Sequence, residues 1–352
     1  MAERAGERKL VKGNVALAEG AVQAGLRFYF GYPITPQNEV PEYLSWRLPE
    51  VGGTFLQAES EIASINMVLG AASTGARSMT SSSSPGISLM QEGISFLAGC
   101  QLPAVIVNVQ RCGPGLGGIK PTQGDYYQAT RGGGHGDYRT LVLAPASAQD
   151  MFDHAYLAFE LAEKYRNPVL ILSDAIIGQM KEGAILAPTH ASPQCEKDYI
   201  MSGAKGRPAR NIRSMYLEGD DQEILNYTLR DKYERMRREE QRFDTHLMDD
   251  AEYAIVAFGT PARIALSAAR LARAEGIKVG VFRPITLYPY PEDGLRALTE
   301  RVKRILVLEM NNGQMVDDVR ACVPGDVMVK FHGRPAGGLP VPREVLGKIK
   351  EF

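Results

Sequence analysis

The sequence predicts an α/β fold built on a parallel sheet with helices on both faces. Segments with helical apolar spacing alternate with short β-branched runs, and a glycine stops the first helical segment. Parallel neighbouring strands need crossover connections, and these fold back as helices. A chain of 352 residues exceeds what one hydrophobic core usually serves, so we expect about two domains.

The elements of the first domain follow in order from the N-terminus. We predict helices over 14–25, 59–75, 85–98 and 148–164, and strands over 26–30, 78–81, 103–109 and 168–174. Ligands of such sheets bind at the carboxyl ends of the strands. The loops after Phe30, Ser81 and Val109 are therefore the places to look for a site.

The rest of the chain divides into a connecting segment and a second α/β unit. Residues 187–208 are rich in turn formers, and 222–247 is a highly charged stretch that predicts a helix. A second unit of about four strands begins near Tyr253. We therefore expect an α/β domain at 1–186, a linker and connecting helix at 187–246, and a smaller α/β domain at 247–352.

Composition excludes several classes of protein. A hydrophobic content of 44% and a net charge of -1 give no reason to expect nucleic acid or a membrane as a partner. The N-terminus lacks the apolar run of a signal peptide, so we expect a cytoplasmic protein. The four cysteines are too scattered for a metal or iron–sulfur site, and no metal site is expected in this chain.

The first candidate site combines the loop Gly31–Pro36 with a glutamate. Two prolines stiffen this loop and restrict Thr35, although a strand-to-helix turn capped by Asn38 explains the loop alone equally well. Glu59 and Glu61 open the next predicted helix, where a carboxylate complements the helix dipole. A carboxylate set against the small apolar residues that follow can instead bond a heterocycle nitrogen.

Two other motifs point to functions that we reject. Gly113–Gly118 fits the spacing of a dinucleotide fingerprint, but the residues after it predict continued loop where that fingerprint needs a helix. The run Ser81–Ser84 and His135 suggest a serine hydrolase, yet the sequence has no G-x-S-x-G elbow. We expect these serines to cap the following helix and to bond nearby cofactor or backbone groups.

Taken together, the motifs resemble the 2-oxoacid:ferredoxin oxidoreductases over nearly the whole chain. The resemblance is carried by Gly13-Asn14, Glu19-Gly20, Gly31–Pro36, Gln57–Glu61, Thr80–Pro85, Val109–Gly113, Arg283–Pro289 and Glu309–Met315. It implies a thiamine-diphosphate-type pyrimidine domain followed by a transketolase-C-terminal-like α/β domain. The enzymes that act on 2-oxoisovalerate and 2-oxoglutarate are the most similar.

In that family thiamine diphosphate lies between two chains or domains. One holds the aminopyrimidine, and the other holds the diphosphate and magnesium through a Gly-Asp-Gly motif, which this chain lacks. The resemblance therefore implies the pyrimidine-side, alpha-type subunit. A diphosphate-binding beta-type subunit, a gamma-type subunit and a cluster-bearing subunit are the implied partners, and magnesium and iron–sulfur clusters are expected on partner chains only.

The resemblance also implies an activity and the residues that serve it. The reaction is oxidative decarboxylation of a 2-oxoacid to acyl-CoA and CO2, with electrons passed to ferredoxin. Glu61 corresponds to the glutamate that activates the cofactor, Thr35 to a threonine near cofactor and substrate, and Arg111 to the arginine for the substrate carboxylate. Further expected contacts come from Tyr32, Pro33 and Ile34 to the cofactor and from Lys120 to the substrate.

The identity of the substrate stays open at this point. We expect a branched-chain 2-oxoacid such as 2-oxoisovalerate, because Leu116–Lys120 departs from the pattern of the 2-oxoglutarate enzymes. Lys120 can still bind a second carboxylate, so a 2-oxoglutarate enzyme is an alternative. A noncatalytic relative that keeps the fold for assembly or regulation is another.

Overall fold

The computed structural model describes residues 6–193, 197–217 and 219–352. Its strands are β1 Arg8–Lys12, β2 Phe28–Gly31, β3 Thr54–Gln57, β4 Ser78–Ser82, β5 Ala104–Gln110, β6 Leu141–Leu143, β7 Pro168–Asp174, β8 Lys181–Ile185, β9 Phe243–His246, β10 Tyr253–Val256, β11 Val279–Pro284, β12 Thr286–Tyr288, β13 Arg304–Glu309 and β14 Met328–Gly333. Its helices are α1 Gly13–Gln23, α2 Glu39–Glu50, α3 Glu61–Ser73, α4 Ser84–Gly99, α5 Tyr126–Arg131, α6 Ala148–Tyr165, α7 Ala175–Gln179, α8 Asp221–Glu239, α9 Gly259–Ala274, α10 Glu292–Leu298, α11 Met315–Cys322 and α12 Pro342–Lys350.

The larger sheet has seven strands in the order β12-β6-β7-β5-β4-β2-β3. Every neighbouring pair is parallel except β12 and β6, which are antiparallel. The central strands β4, β5 and β7 are buried along their whole length, because helices cover both faces of a parallel sheet. The predicted α/β class is confirmed.

The second sheet has five strands in the order β14-β13-β10-β11-β9, with β9 antiparallel to β11. Its core packs alanines of α9 against Ile255, Val281 and Leu308. A separate antiparallel ribbon pairs β1 with β8. No helix of the described ranges is both long and apolar enough to cross a bilayer.

The second half of the chain differs from the sequence-based prediction in two ways. The helix expected over 222–247 ends at Glu239, and Phe243–His246 instead forms β9, which brings the second sheet to five strands rather than about four. Strand β12 leaves the second sheet and extends the first, where Thr286 pairs with Leu143. The two sheets are therefore tied together by the chain that passes between them.

This topology brings the candidate residues to one edge. Strands β2, β4 and β5 are consecutive neighbours in the sheet and run parallel, so their carboxyl ends lie side by side. The loop after β2 contains Thr35, the end of β4 supplies Ser82, and Arg111 follows β5 directly. Such an edge is where parallel sheets bind ligands.

Candidate active site

Glu61 is the first residue of α3 and is buried, with 5% of its surface exposed. Ser60 starts the helix by accepting a hydrogen bond from the backbone N–H of Ala63 at 3.2 Å. The Ser82 hydroxyl donates to Oε1 of Glu61 at 3.3 Å. Glu59, two residues earlier, is exposed. The structure thus separates two glutamates that helix logic alone leaves equivalent: Glu61 is buried against Ser82, and Glu59 is exposed.

The absence of a side chain at Gly86 lets the Glu61 carboxylate and the Ser82 hydroxyl pack directly against the start of α4. A Cβ atom at this position would lie 2.4 Å from Oε1 of Glu61 and 2.0 Å from the Ser82 hydroxyl. The helix that contains Gly86 begins at Ser84, after a buried residue, Ser83, whose hydroxyl has no hydrogen-bond partner among the described residues. A buried, unsatisfied hydroxyl next to an enclosed carboxylate is typical of a site that bonds a ligand.

The serines of the run 81–84 do not cap the helix as predicted. Ser83 is the N-cap residue of α4, but its side chain makes no capping hydrogen bond. Ser81 donates to Oε1 of Gln37 at 2.6 Å, while Ser82 and Ser84 bond Glu61 and the backbone of Arg111. Of the two expectations for these serines, the structure shows only the hydrogen bonds to neighbouring groups.

The loop Gly31–Pro36 is held from both sides by side chains. Asn14 donates from Nδ2 to the carbonyl oxygen of Pro36 at 2.9 Å, which explains the Gly13-Asn14 motif. Gln37 is fully buried, accepts from Ser81 and donates to the carbonyl of Tyr32 at 3.4 Å. Sequence reasoning missed Gln37, since only the tertiary fold brings β4 against this loop.

The residues predicted to contact a cofactor lie along the outer side of this loop. Tyr32 and Pro33 are exposed, whereas Ile34 and Thr35 are partly buried. The turn interpretation expected Asn38 to cap α2, but its side chain makes no capping hydrogen bond. Its Nδ2 instead donates to the Thr35 hydroxyl at 3.4 Å. Thr35 therefore has a defined position and an accessible hydroxyl.

Arg111 lies at the end of β5 with 9% of its surface exposed. Its Nη1 donates to the carbonyl oxygen of Thr35 at 3.2 Å, and Nη2 donates to that of Leu116 at 3.1 Å. Its Nε is buried without a partner, and Arg111 makes no ion pair with any carboxylate in the part of the chain described. A guanidinium enclosed in this way is suited to an anionic ligand.

Asp125 is a further polar residue of this edge that the sequence did not single out. Ser84 donates to Oδ2 of Asp125 at 2.5 Å and accepts from the backbone N–H of Arg111 at 3.0 Å, while Asn108 donates to the same Oδ2 at 2.8 Å. Burial raises the pKa of the Asp125 carboxyl, although the bonds from Ser84 and Asn108 oppose that shift. Asp125 thereby anchors the backbone of Arg111.

Lys120 and His135 are not brought to Glu61. Lys120 is exposed, its carbonyl accepts from the N–H of Cys112 at 2.9 Å, and its side chain packs on Gly337. His135 is exposed beside Ser95, near the far end of α4 from the serines. The loop between β5 and α5 has no helix before Tyr126, which agrees with rejecting the dinucleotide fingerprint.

The motif Glu309–Met315 of the second unit is hydrogen-bonded to the loop between β5 and α5. Gln123 exchanges two hydrogen bonds of 3.0 Å with the backbone of Met310 and donates to the carbonyl of Phe258 at 2.9 Å. Glu309 is fully buried and accepts from the backbone N–H groups of Met315 and Val316 at 2.9 and 3.0 Å. This motif is a structural clamp on the loop that begins at Arg111.

The motif Arg283–Pro289 joins the two units in a similar way. Arg283 donates to Asp150 of α6 and to Asp244 of β9, each at 2.6 Å. The carbonyl of Ile285 accepts from the N–H of Ala144 at 2.8 Å, beside the pairing of β12 with β6. No group of three or more potential metal ligands occurs in the described ranges.

The fold and this edge define a class of protein that comparison with known families identifies. The thiamine-diphosphate-binding domain of pyruvate flavodoxin/ferredoxin oxidoreductases matches residues 19–243, which is more than half of the chain. Core domain II of pyruvate:ferredoxin oxidoreductase matches residues 251–345. The chain belongs to the 2-oxoacid:ferredoxin oxidoreductase family, as the sequence motifs predicted, and is an oxidoreductase subunit.

Relatives from archaea match the chain almost end to end. The ketoisovalerate oxidoreductase subunit VorB of Methanothermobacter thermautotrophicus is 50% identical over 343 residues and covers 97% of each chain. The 2-oxoglutarate synthase subunit KorA of the same organism is 36% identical, covering 97% of this chain and 98% of its own. KorA of Archaeoglobus fulgidus is 39% identical over 90% of this chain and 92% of its own.

Solved structures agree with the fold. The 2-oxoglutarate:ferredoxin oxidoreductase from Magnetococcus marinus, solved with 2-oxoglutarate, coenzyme A and succinyl-CoA bound, matches with 27% identity and a TM-score of 0.87. The match covers 99% of this chain but 66% of that one, so this chain spans about two thirds of its length. A split-gene transketolase, at 15% identity and a TM-score of 0.61 over 97% of each chain, shares the fold alone.

Proposed function

We propose that this chain is the pyrimidine-side subunit of a complex that oxidises 2-oxoisovalerate, or another branched-chain 2-oxoacid, to acyl-CoA and CO2 while reducing ferredoxin. Glu61, Thr35 and Arg111 are its proposed catalytic residues, and the complex works in the cytoplasm. The observation that supports this most is the Glu61 carboxylate, which is buried at the carboxyl edge of the sheet and accepts a hydrogen bond from Ser82 there.

The residues at this edge fit the pyrimidine half of thiamine diphosphate. Glu61 offers a carboxylate oxygen to a ring nitrogen, and the unpartnered hydroxyl of Ser83 can bond a polar group of the ring. Thiamine diphosphate, when bound, supplies a thiazolium ring that accepts the electrons released as CO2 leaves. Glu61 shares a proton with the pyrimidine nitrogen and so sets which pyrimidine nitrogen acts as a base.

Thr35 and Arg111 orient the 2-oxoacid. The carboxylate of the substrate accepts from the remaining N–H groups of the Arg111 terminal nitrogens, each of which also donates one hydrogen bond to the carbonyl of Thr35 or Leu116. Because these bonds fix the guanidinium before the substrate arrives, binding costs little side-chain conformational entropy at Arg111. The Thr35 hydroxyl accepts a hydrogen bond from Asn38, which leaves its own proton for the 2-oxo group in this proposal.

A partner chain completes the site in this proposal. The sequence has no Gly-Asp-Gly motif for the diphosphate, so magnesium, the diphosphate and the iron–sulfur clusters are assigned to beta-type, gamma-type and cluster-bearing subunits. Large apolar side chains are exposed on the elements that carry the site, at Leu56 of β3, Ile62 of α3, Leu89 of α4 and Leu116 of the loop after β5. Exposed apolar groups on such elements favour an interface with another protein.

The branched-chain substrate is favoured by two observations. The VorB relative, named for ketoisovalerate, shares 50% of its residues with this chain, against 36% and 39% for the two KorA relatives named for 2-oxoglutarate. Lys120, the residue that would bind a second carboxylate, is exposed and packs against Gly337 rather than beside Arg111. 2-Oxoglutarate is the second candidate, because Lys120 belongs to the same loop as Arg111.

The test is a substrate panel on the complex purified with its native partner chains. We expect a kcat/KM for 2-oxoisovalerate at least about tenfold above that for 2-oxoglutarate, measured by reduction of ferredoxin in the presence of coenzyme A. Preference for 2-oxoglutarate would select the second candidate. A complex without thiamine-dependent oxidation of any 2-oxoacid, or an active homo-oligomer without clusters, would contradict the proposal.

A further inference from the structure

A cavity lies against the C-terminal ends of α4 and α6, at the other end of α4 from Ser84 and Gly86. It has a volume of about 420 Å³ and is lined by three arginines, Arg166, Arg210 and Arg213, and by two tyrosines, Tyr199 and Tyr216. No acidic residue of the described ranges lines it. The volume falls within the range of small-molecule sites, about 300–1,000 Å³.

The segment that forms one wall has more cationic than acidic side chains. In the sequence, residues 196–218 contain five cationic side chains, Lys197, Lys205, Arg207, Arg210 and Arg213, and three acidic ones, Glu196, Asp198 and Glu218. The whole chain has a formal net charge of only -1, so the excess of positive charge is a local property of this segment. An excess of one sign of charge in a concave surface concentrates ligands of the opposite sign.

The arginines are held in place, yet their charges are weakly compensated. Arg166 and Arg213 lie over the rings of Tyr199 and Tyr216, at 4.5 and 4.4 Å from the ring centres. Their acidic partners, Asp198 and Asp221, are largely exposed, and exposed ion pairs contribute little. Arg210 donates to the carbonyl of Ile200 at 3.0 Å and has no acidic partner in the described part of the chain.

Lys232 lies behind this cavity, in surroundings that destabilise its charged form. Its Nζ donates to Oε1 of Gln101 at 3.3 Å and to the carbonyl of Arg166 at 3.2 Å, and it pairs with no carboxylate of the described residues. Burial, together with the charges of Arg166 and Arg235, lowers the pKa of Lys232 to about 7. The surroundings of Lys232 are therefore short of negative charge.

Two helix ends compensate part of this positive charge. The C-terminal ends of α4 and α6 meet here, and each carries roughly half a negative elementary charge. Asp198 and Asp221 pair with Arg166 and Arg213, so Arg210 is the guanidinium at the cavity that has no acidic partner among the described residues. Compensation of the helix dipoles alone does not explain why Arg210 and Arg213 face the same cavity.

We propose that this cavity binds a phosphorylated small molecule, whose phosphate oxygens accept hydrogen bonds from Arg166, Arg210 and Arg213. Guanidinium groups donate to phosphate oxygens in pairs, and three of them around one cavity suit a phosphate or a diphosphate. The concave shape favours a small anion over a flat acidic protein surface. The site is separate from the Glu61 edge, and the inference stands independently of the proposed function.

Titration calorimetry with inorganic pyrophosphate tests this on the assembled complex. The complex is first saturated with thiamine diphosphate, so that any diphosphate site of a partner chain is filled. We expect Arg210→Ala and Arg213→Ala each to weaken pyrophosphate binding by about tenfold, since each removes a charged hydrogen-bond donor. Lys205→Ala removes the same charge from the same segment, outside the cavity, and should change the affinity less than twofold.

Three outcomes would overturn the proposal. They are the absence of pyrophosphate binding by the unmodified complex, equal binding by the complex and both arginine variants, and binding of adenosine, which has no phosphate, as tightly as pyrophosphate. Loss of binding in Lys205→Ala as large as in the arginine variants would also contradict it, since it would indicate general attraction to a basic surface.

A second measurement needs no variant, because Cys100 lines the cavity. Pyrophosphate should slow the alkylation of Cys100 by iodoacetamide at least about threefold, measured by peptide mass spectrometry, because the occupied cavity blocks access to the thiol. Cys112, also free and partly buried but outside the cavity, should react at an unchanged rate. No protection of Cys100, or equal protection of both thiols, would refute the proposal.

Discussion

Arg111 donates from Nη1 to the backbone carbonyl oxygen of Thr35 across 3.2 Å. This contact joins the end of β5 to the loop after β2, and β4, which lies between them in the sheet, supplies Ser82 to Glu61. Glu61, Thr35 and Arg111, which follow β3, β2 and β5, thus lie on one edge of the sheet. The proposed chemistry depends on that arrangement, and the following predictions test its parts.

Replacing Arg111 by glutamine should lower kcat/KM for every accepted 2-oxoacid by at least about 30-fold. Removing one partner of an enclosed charge pair costs about 2–5 kcal/mol, and the loss should appear mainly as a raised KM. Arg111→Lys should recover part of it, since lysine keeps the charge without the planar fork. Steady-state kinetics of the assembled complex measures this, with Lys120→Gln as control.

The Lys120→Gln control separates the two substrates. For 2-oxoisovalerate it should leave kcat/KM within about twofold, because the exposed lysine does not touch the Arg111 guanidinium. A Lys120→Gln loss restricted to 2-oxoglutarate would identify that lysine as a contact to a second carboxylate. Unchanged kinetics in Arg111→Gln would remove Arg111 from the substrate site.

Gln123 should be the residue of the loop that matters most for stability. Its substitution by alanine leaves the backbone groups of Met310 and Phe258 buried without partners, and we expect the free energy of unfolding to fall by about 2–3 kcal/mol. Urea denaturation of the assembled complex measures the loss. Gln222→Ala, at an exposed position of α8, should change the free energy of unfolding by less than about 0.5 kcal/mol. A similar loss in both variants would contradict the stabilising role of the Gln123 hydrogen bonds.

His154 should make the free energy of unfolding depend on pH below about pH 6.5. Burial lowers the pKa of its imidazole; Asp150 opposes this shift and Arg283 adds to it. Below about pH 6.5 the unfolded chain binds a proton that the folded chain does not, so the free energy of unfolding decreases as pH falls. The slope from one such group approaches about 1.4 kcal/mol per pH unit.

Urea denaturation at a series of pH values from 5 to 7.5 measures that slope. His154→Gln should flatten it, because the variant has no group that titrates at this position. The exposed His135 is the matched control, and His135→Gln should leave the slope as it is. A slope that survives in His154→Gln would assign the pH dependence to other groups.

The sequence predicts those parts of the site that depend on local structure. The stiff loop around Thr35, the helix that begins at Glu61 and the arginine after β5 follow from strand ends, prolines and helix starts that can be located without a fold. The choice between Glu59 and Glu61 could not be made from helix logic, since both lie near the helix start. Burial against Ser82 and Gly86 distinguishes them.

The residues that the sequence did not reveal act through contacts between distant segments. Gln37, Asp125 and Gln123 bond partners on other strands or in the second unit, and nothing in their local sequence indicates those partners. Strand β9 was predicted as helix because it follows a charged helix and is mostly exposed, so it lacks apolar alternation. Its pairing with β11 depends on the fold of the second unit.

The central claim is that the buried carboxylate of Glu61 activates the cofactor. The most direct measurement is the rate at which the thiazolium C2 proton of bound thiamine diphosphate exchanges with solvent deuterium in the assembled complex, compared between Glu61→Gln and Glu59→Gln. We expect Glu61→Gln to slow exchange by at least about 100-fold, as for loss of acid–base catalysis, and Glu59→Gln to match the unmodified complex. Exchange at the full rate in Glu61→Gln would contradict the claim.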